Sequence, residues 1–318
     1  MKTKLFFILL IASILLISCK SDSGNLDTIT IATFSKALGN APYLVAKHFK
    51  WFEEEPLLKG TKIIYTEFND RPTISTAFDK GQLQVLFSAE TPQYLCRAQG
   101  NDIRVVAVSA SAAQEILVPI ASKIKKVNEL KGKSIAVLAG TSSHYCLLKI
   151  LKTYGLSVSD VQIKYMGAAE AEVAFQTGQL DAWAVWAPWV EKQQANGTGR
   201  VLEGGDAVIV STMAMPSDFI NKHKSIAASI VKIIQRAKEW ILNNPGEAQK
   251  IAATELSLNA DVVKIAWPKF KWNEILNDRI LDDFQEKANF LTYQEKTRLE
   301  KPLDVRKEFV YMDFIENK

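Results

Sequence analysis

Ser134-Ile135-Ala136-Val137-Leu138-Ala139-Gly140-Thr141-Ser142-Ser143-His144 is the stretch on which the reading of this chain turns. Ser134 to Leu138 reads as a buried strand, and Gly140 permits a tight turn after it. Thr141, Ser142 and Ser143 then open a helix that runs from Ser142 to Tyr154 and stops at Gly155. A helix start carries backbone N–H groups with no intrahelical partner, together with the positive end of the helix dipole. Both attract anions. One Ser or Thr is enough to cap a helix, so three hydroxyls in a row exceed that need. Thr141, Ser142 and Ser143 are therefore candidate anion ligands. His144 is either a further hydrogen-bond donor or a solvent-facing side chain.

Upstream, the same strand–helix alternation recurs. Ile29–Thr33, Ile63–Phe68, Val85–Phe87 and Ile103–Val108 read as strands, and Pro42–Phe52, Pro72–Asp79 and Pro92–Gln99 as helices. The pattern restarts with strands at Ile116–Val118, Val161–Tyr165, Asp181–Val185 and Val208–Val210, the last following a turn at Gly204-Gly205, and a helix at Ala168–Gln176. From Asn221 onward helix follows helix, with Lys224–Leu242 the longest. This order predicts an α/β protein of two lobes, each a mainly parallel sheet flanked by helices. Two crossings, near Ser109–Glu115 and Ser211–Pro216, would form the hinge. Residues 28–112 and 213–318 make lobe 1 and residues 113–212 make lobe 2. The cleft between them is the expected ligand site.

The composition agrees. Of 318 residues, 47% are hydrophobic and 23% charged, which suits a globular chain and excludes disorder, collagen and coiled coil. The net charge of +4 is small and forms no basic stripe, so nucleic acid is not an expected partner. Three cysteines support neither a disulfide scaffold nor a four-cysteine metal centre. No metal and no cofactor is expected. Cys96 and Cys146 sit in helical patterns and read as small buried thiols.

The N-terminus carries Lys2 and Lys4 ahead of an apolar run from Leu5 to Ile17. The run is too short to span a bilayer comfortably at about 1.5 Å per residue, and residues 1–18 read as a signal peptide. Leu16-Ile17-Ser18-Cys19 resembles the lipobox of bacterial lipoproteins. That resemblance implies that Cys19 is lipidated and that residues 19–27 form a tether from the membrane. Each buried acyl CH₂ contributes about 0.8 kcal/mol to such an anchor.

A second signal is Leu180-Asp181-Ala182-Trp183-Ala184-Val185-Trp186-Ala187-Pro188-Trp189. In a strand, alternate residues share a face, so Trp183 sides with Val185 and reads as core. Trp186 falls at the C-terminal end of the strand, where sheets of this kind place ligands. It is the candidate cleft wall.

The segment Ile116–Gly205 resembles the substrate-binding proteins of aliphatic-sulfonate, taurine and nitrate ABC importers. The resemblance rests on Val127-Asn128-Glu129-Leu130-Lys131-Gly132-Lys133, on Gly140-Thr141-Ser142-Ser143-His144, and on the run from Ala174 to Trp186. Tyr43-Leu44-Val45-Ala46-Lys47, Trp51-Phe52 and Ala89-Glu90-Thr91-Pro92 extend it more loosely into the first lobe. It implies a type II periplasmic-binding-protein fold that closes on its ligand by a hinge. It also implies anion binding by Thr141, Ser142, Ser143 and His144, with Ser35, Leu38, Gly39, Asn40, Ser88 and Glu90 on the facing wall. The chain departs from the family at Ala187, where an aspartate is usual.

The function so implied is capture of a small anionic solute, a sulfonate such as taurine or an alkanesulfonate. The protein would be a lipid-anchored monomer outside the cytoplasm, and its partners an ABC permease and ATPase. A carboxylate at Glu90 beside the anion would favour a zwitterion such as taurine over a simple alkanesulfonate. Three alternatives are a nitrate- or heterocycle-binding importer component, a sensory or adhesive lipoprotein, and an enzyme on the same fold of the thiamine-precursor or desulfination type. The chain is not expected to be an enzyme. His48 and His223 lie on polar helical stretches without catalytic spacing, and no cysteine falls in a predicted ligand loop.

Overall fold

The computed structural model describes residues 26–34, 36–202, 207–294 and 299–314. The expected signal segment, Cys19, Ser35 and the turn at Gly204-Gly205 lie outside the described residues.

In chain order the first lobe begins with β1 (Thr28–Phe34), α1 (Ala41–His48), β2 (Lys62–Phe68), α2 (Arg71–Asp79), β3 (Val85–Ala89), α3 (Glu90–Ala98) and β4 (Ile103–Ala113). The second lobe follows with β5 (Glu115–Pro119), β6 (Ser134–Val137), α4 (Ser142–Thr153), β7 (Gln162–Tyr165), α5 (Ala168–Gln176), β8 (Ala182–Val185), α6 (Trp189–Ala195) and β9 (Gly199–Val201). The chain then returns to the first lobe through β10 (Val208–Pro216), α7 (Ser217–Lys222), α8 (Lys224–Asn243), α9 (Pro245–Leu256), α10 (Ala260–Ala266), β11 (Phe270–Lys271) and α11 (Asp278–Gln294).

The first sheet has the order β2-β1-β3-β10-β4-β11 and the second β7-β6-β8-β5-β9. Both are mixed. In the first, β10 and β11 run against the other four strands. In the second, β5 runs against the other four.

Side chains alternate across each sheet, as strand geometry requires. In the first lobe Ile29, Ile31, Phe87 and Met213 point to a core under α1 and α8, with Val45, Phe52, Ile230 and Ile234. Ala32, Leu86 and Ala214 point to the other face, against Ile74 and Phe78 of α2. In the second lobe Ile116, Ile135 and Ala184 face Leu147 and Ile150 of α4. Leu117, Ala136, Trp183 and Val185 face Ala171 and Phe175 of α5. Trp183 is core, on the face it shares with Val185.

The return crossing lies earlier than the sequence suggested. Strand β10 starts at Val208 and pairs with both β3 and β4, so Val208–Thr212 belong to the first sheet. Their apolar run follows the strands of the second lobe in sequence, but pairing between two neighbours already in place puts it in the first sheet. The two crossings lie side by side, with the Gln114 N–H bonded to the Ala207 carbonyl at 2.8 Å. The C-terminal helices pack on the first lobe, and α11 also reaches the second through Lys149–Glu286 at 2.9 Å and Tyr145 against Phe290.

Candidate functional site

The α4 start sits where the sheet of the second lobe meets the first. Gly140 adopts φ +68°, a left-handed conformation that suits glycine, and so turns the chain from β6 into the helix. Thr141 is the N-cap. Its Oγ1 accepts the His144 N–H at 3.3 Å and donates to the Leu138 carbonyl at 2.7 Å. That hydroxyl is occupied by the fold.

Ser142 and Ser143 differ. Each is 1% exposed, and neither hydroxyl has a hydrogen-bond partner in the protein. Both line a cavity between the lobes, with Thr141 beside them. A buried unsatisfied polar group costs about 1–3 kcal/mol, so two together at a helix start are a strong sign of a site built for an acceptor-rich solute. The cavity is walled by Trp186 and Val185 from the second lobe, by Gly39 and Phe34 from the first, and by Ser211 and Phe270 from its returning segment. It offers about 70 Å³ to atom centres. At about 10–15 Å³ as the minimum for one water on that measure, this is room for a small solute.

His144 does not face this cavity. Its Nδ1 accepts the Gly140 N–H at 3.4 Å, and Nε2 lies 3.3 Å from the Tyr165 hydroxyl. The ring braces the turn from behind. One helical position beyond the serines already points elsewhere.

On the first lobe, Gly39 lines the cavity, and a Cβ there would come 2.1 Å from Ser211 Oγ. Leu38 is fully buried, and its N–H reaches the Ala187 carbonyl across the cleft at 3.4 Å. Asn40 is drawn instead into a second cavity with Tyr43, Lys47, Tyr65 and Glu255. Ser88 is buried in the β3–β10 pairing, its hydroxyl bonded to the Ala89 carbonyl at 2.8 Å. Trp186 closes one side and donates from Nε1 to the Lys36 carbonyl at 3.2 Å.

Glu90 is turned away from the cavity. It is 1% exposed, its Oε1 lies 2.7 Å from Lys287 Nζ, and its Oε2 accepts the Val210 N–H at 3.1 Å. Lys287, also bound to Asp283 at 2.7 Å, would be pulled down by burial, but the Glu90 and Asp283 carboxylates outweigh that and hold its ammonium well above the usual lysine range. Glu90 is thus one half of an internal ion pair and does not supply the carboxylate beside the anion that its neighbours in sequence suggested.

Three residues missed in the sequence complete the wall: Glu115, Glu191 and Lys269. Lys269 Nζ binds Glu115 Oε2 and Glu191 Oε1, both at 2.8 Å, and Gln194 Oε1 at 3.2 Å. Glu191 is fully buried, and its Oε2 has no partner. Burial pushes its carboxyl above the usual range, with Lys269 pulling the other way. Burial likewise opposes the Lys269 charge, yet the two carboxylates raise it overall. The aromatic run around Trp267–Trp272 and the place of Glu191 two residues after Trp189 were the available signals.

Cys96 and Cys146 are free and buried, each thiol pushed up to about 12 by burial. Among the described residues no group of three or more His, Cys, Asp or Glu is placed to hold a metal ion, and no helix is long and apolar enough to cross a membrane.

Residues 23–257 match the NMT1-like family. The chain belongs to that family. Among curated relatives, a putative aliphatic sulfonates-binding protein of Escherichia coli is 37% identical over 169 residues, which is 52% of either chain. This chain therefore spans about half the length of that relative. A putative aliphatic sulfonates-binding protein of Bacillus subtilis is 28% identical over 84% of this chain and 81% of its own. Among solved structures, the periplasmic aliphatic sulphonate binding protein SsuA from Escherichia coli superposes with a TM-score of 0.76 at 24% identity, covering 92% of this chain and 94% of that one. The two-lobed periplasmic-binding-protein fold expected of this NMT1-like chain is the fold it has.

Proposed function

We propose that this chain is an extracytoplasmic solute-binding protein that captures a small sulfonate between its lobes and hands it to an ABC importer. Lipidation at Cys19 holds it to the membrane. The observation that carries the reading is the pair of buried, unpartnered hydroxyls of Ser142 and Ser143 at the start of α4, lining the interlobe cavity. The names of the relatives supply the class of solute.

A sulfonate is ionised at ordinary pH and only accepts hydrogen bonds, so its site needs donors. The two hydroxyls and the N–H groups of the first helical turn are such donors. Bonds to a charged group contribute about 1.5–3 kcal/mol each. Three or four of them, less the costs of ordering and association, leave about −8 kcal/mol, or micromolar binding. Contacts made from both lobes favour the closed form over the open one, and the permease would read that difference.

The cavity wall speaks for binding over catalysis. Its titratable members are Glu115, Glu191 and Lys269, with both carboxylates bound to the lysine, and neither Cys96 nor Cys146 lines it.

Calorimetry with short alkanesulfonates and taurine tests the reading. Wild type should bind at least one of them at micromolar concentration. Ser142→Ala with Ser143→Ala should weaken it by at least about tenfold without loss of helix content. No binding of any sulfonate, or equal affinity in the double variant, would refute the assignment.

A further inference from the structure

Besides Ser142 and Ser143, the cavity wall contains a second polar group of residues, and it carries an excess of negative charge. One ammonium, Lys269, meets two carboxylates, Glu115 and Glu191, which leaves a net charge of 1 − 2 = −1. An ammonium has three donors. Those of Lys269 are matched by Glu115 Oε2, Glu191 Oε1 and Gln194 Oε1. Lys269 is thus committed to the protein and is not a ligand for an anion. Glu191 Oε2, by contrast, is fully buried, lines the same cavity through its residue, and accepts nothing. The apolar side chains of Phe34, Val185, Trp186, Val190, Ile209 and Phe270 line the same cavity.

An unpaired carboxylate oxygen in such a place is expensive to keep. A sulfonate alone would meet the serines, leave Glu191 unsatisfied and add a second negative charge near the first. A solute with a sulfonate at one end and a protonated amine at the other would satisfy both groups and cancel the excess charge. The room available, about 70 Å³ to atom centres, fits only a short one.

From this juxtaposition of unpartnered serines and an unpartnered buried glutamate in one cavity, we infer that the solute is a short amino-sulfonate and that Glu191 is the residue that reads its ammonium. This rests on the sulfonate reading above and narrows it. Glu191, and not Glu90, is the acidic residue that sets the preference.

The test compares taurine with propane-1-sulfonate, in which a methyl replaces the ammonium, by calorimetry on the mature chain and on Glu191→Gln. Wild type should prefer taurine by at least tenfold, and in Glu191→Gln that ratio should fall at least tenfold. Circular dichroism melts check that the variant folds. If it does not, the wild-type ratio still decides. Equal wild-type affinities for the two solutes, or a ratio unaltered in a folded Glu191→Gln, would overturn this inference while leaving the sulfonate reading intact. Binding of neither solute would overturn both.

Discussion

Of Thr141 and its two neighbours, one hydroxyl is spent on the fold while the next two are left without a partner. The three look alike in sequence, and only the helical rotation between them separates their roles. Thr141→Val should therefore cost the cap, about 1 kcal/mol of stability, seen in urea denaturation. Sulfonate affinity should change far less than in the double serine variant. A loss of affinity as large as that variant's would place the Thr141 hydroxyl on the solute after all. Glu90 teaches the converse. It stands between Ala89 and Pro92 of the cavity wall, yet at the first position of α3 its side chain points toward α11. Position in the chain brought it next to the site; direction took it away.

Among the elements, α3 and α11 are joined through Glu90 and Lys287, both 2% exposed at the side chain. Removing one partner of a buried pair strands the other charge and costs about 3–5 kcal/mol, whereas replacing both is often close to neutral. Lys287→Met should therefore lower stability by that amount, and adding Glu90→Gln should recover most of it. A double-mutant cycle by urea denaturation checks this, and simple additivity of the two losses would deny the coupling. The elements were largely legible in the sequence where their signals are local. The strand, glycine and hydroxyl cap of 134–144 lie together, and α5 spans Ala168–Gln176 as expected. What was not legible is long-range. Strand β10 joins the first sheet because β3 and β4 leave a slot between them, which no local pattern announces. Lys269 and Glu191 reach the cavity from segments 78 residues apart, and burial without a partner has no sequence signature.

For the whole molecule, a solute that touches both lobes stabilises them together. At a hundredfold excess over its Kd it should contribute about 2.7 kcal/mol, and thermal unfolding of a chain this size should shift upward by roughly 4 °C. Thermal shift over a series of sulfonates measures this; the shifts should rank in the order of the affinities found by calorimetry, and a solute that binds by calorimetry without moving the melt would contradict binding to the folded chain alone. The bridging contacts, Trp186 to Lys36 and Leu38 to Ala187, lie at the rim of the same gap. At its back, the two crossings run as a bonded pair through Gln114 and Ala207. Two strands tied edge to edge behave like a ribbon: they flex across their flat face and resist twisting about their length. For the closing motion proposed above, such a pair would favour swinging along one arc, and would bring the serines of α4 opposite the same stretch of the first lobe each time the gap shuts.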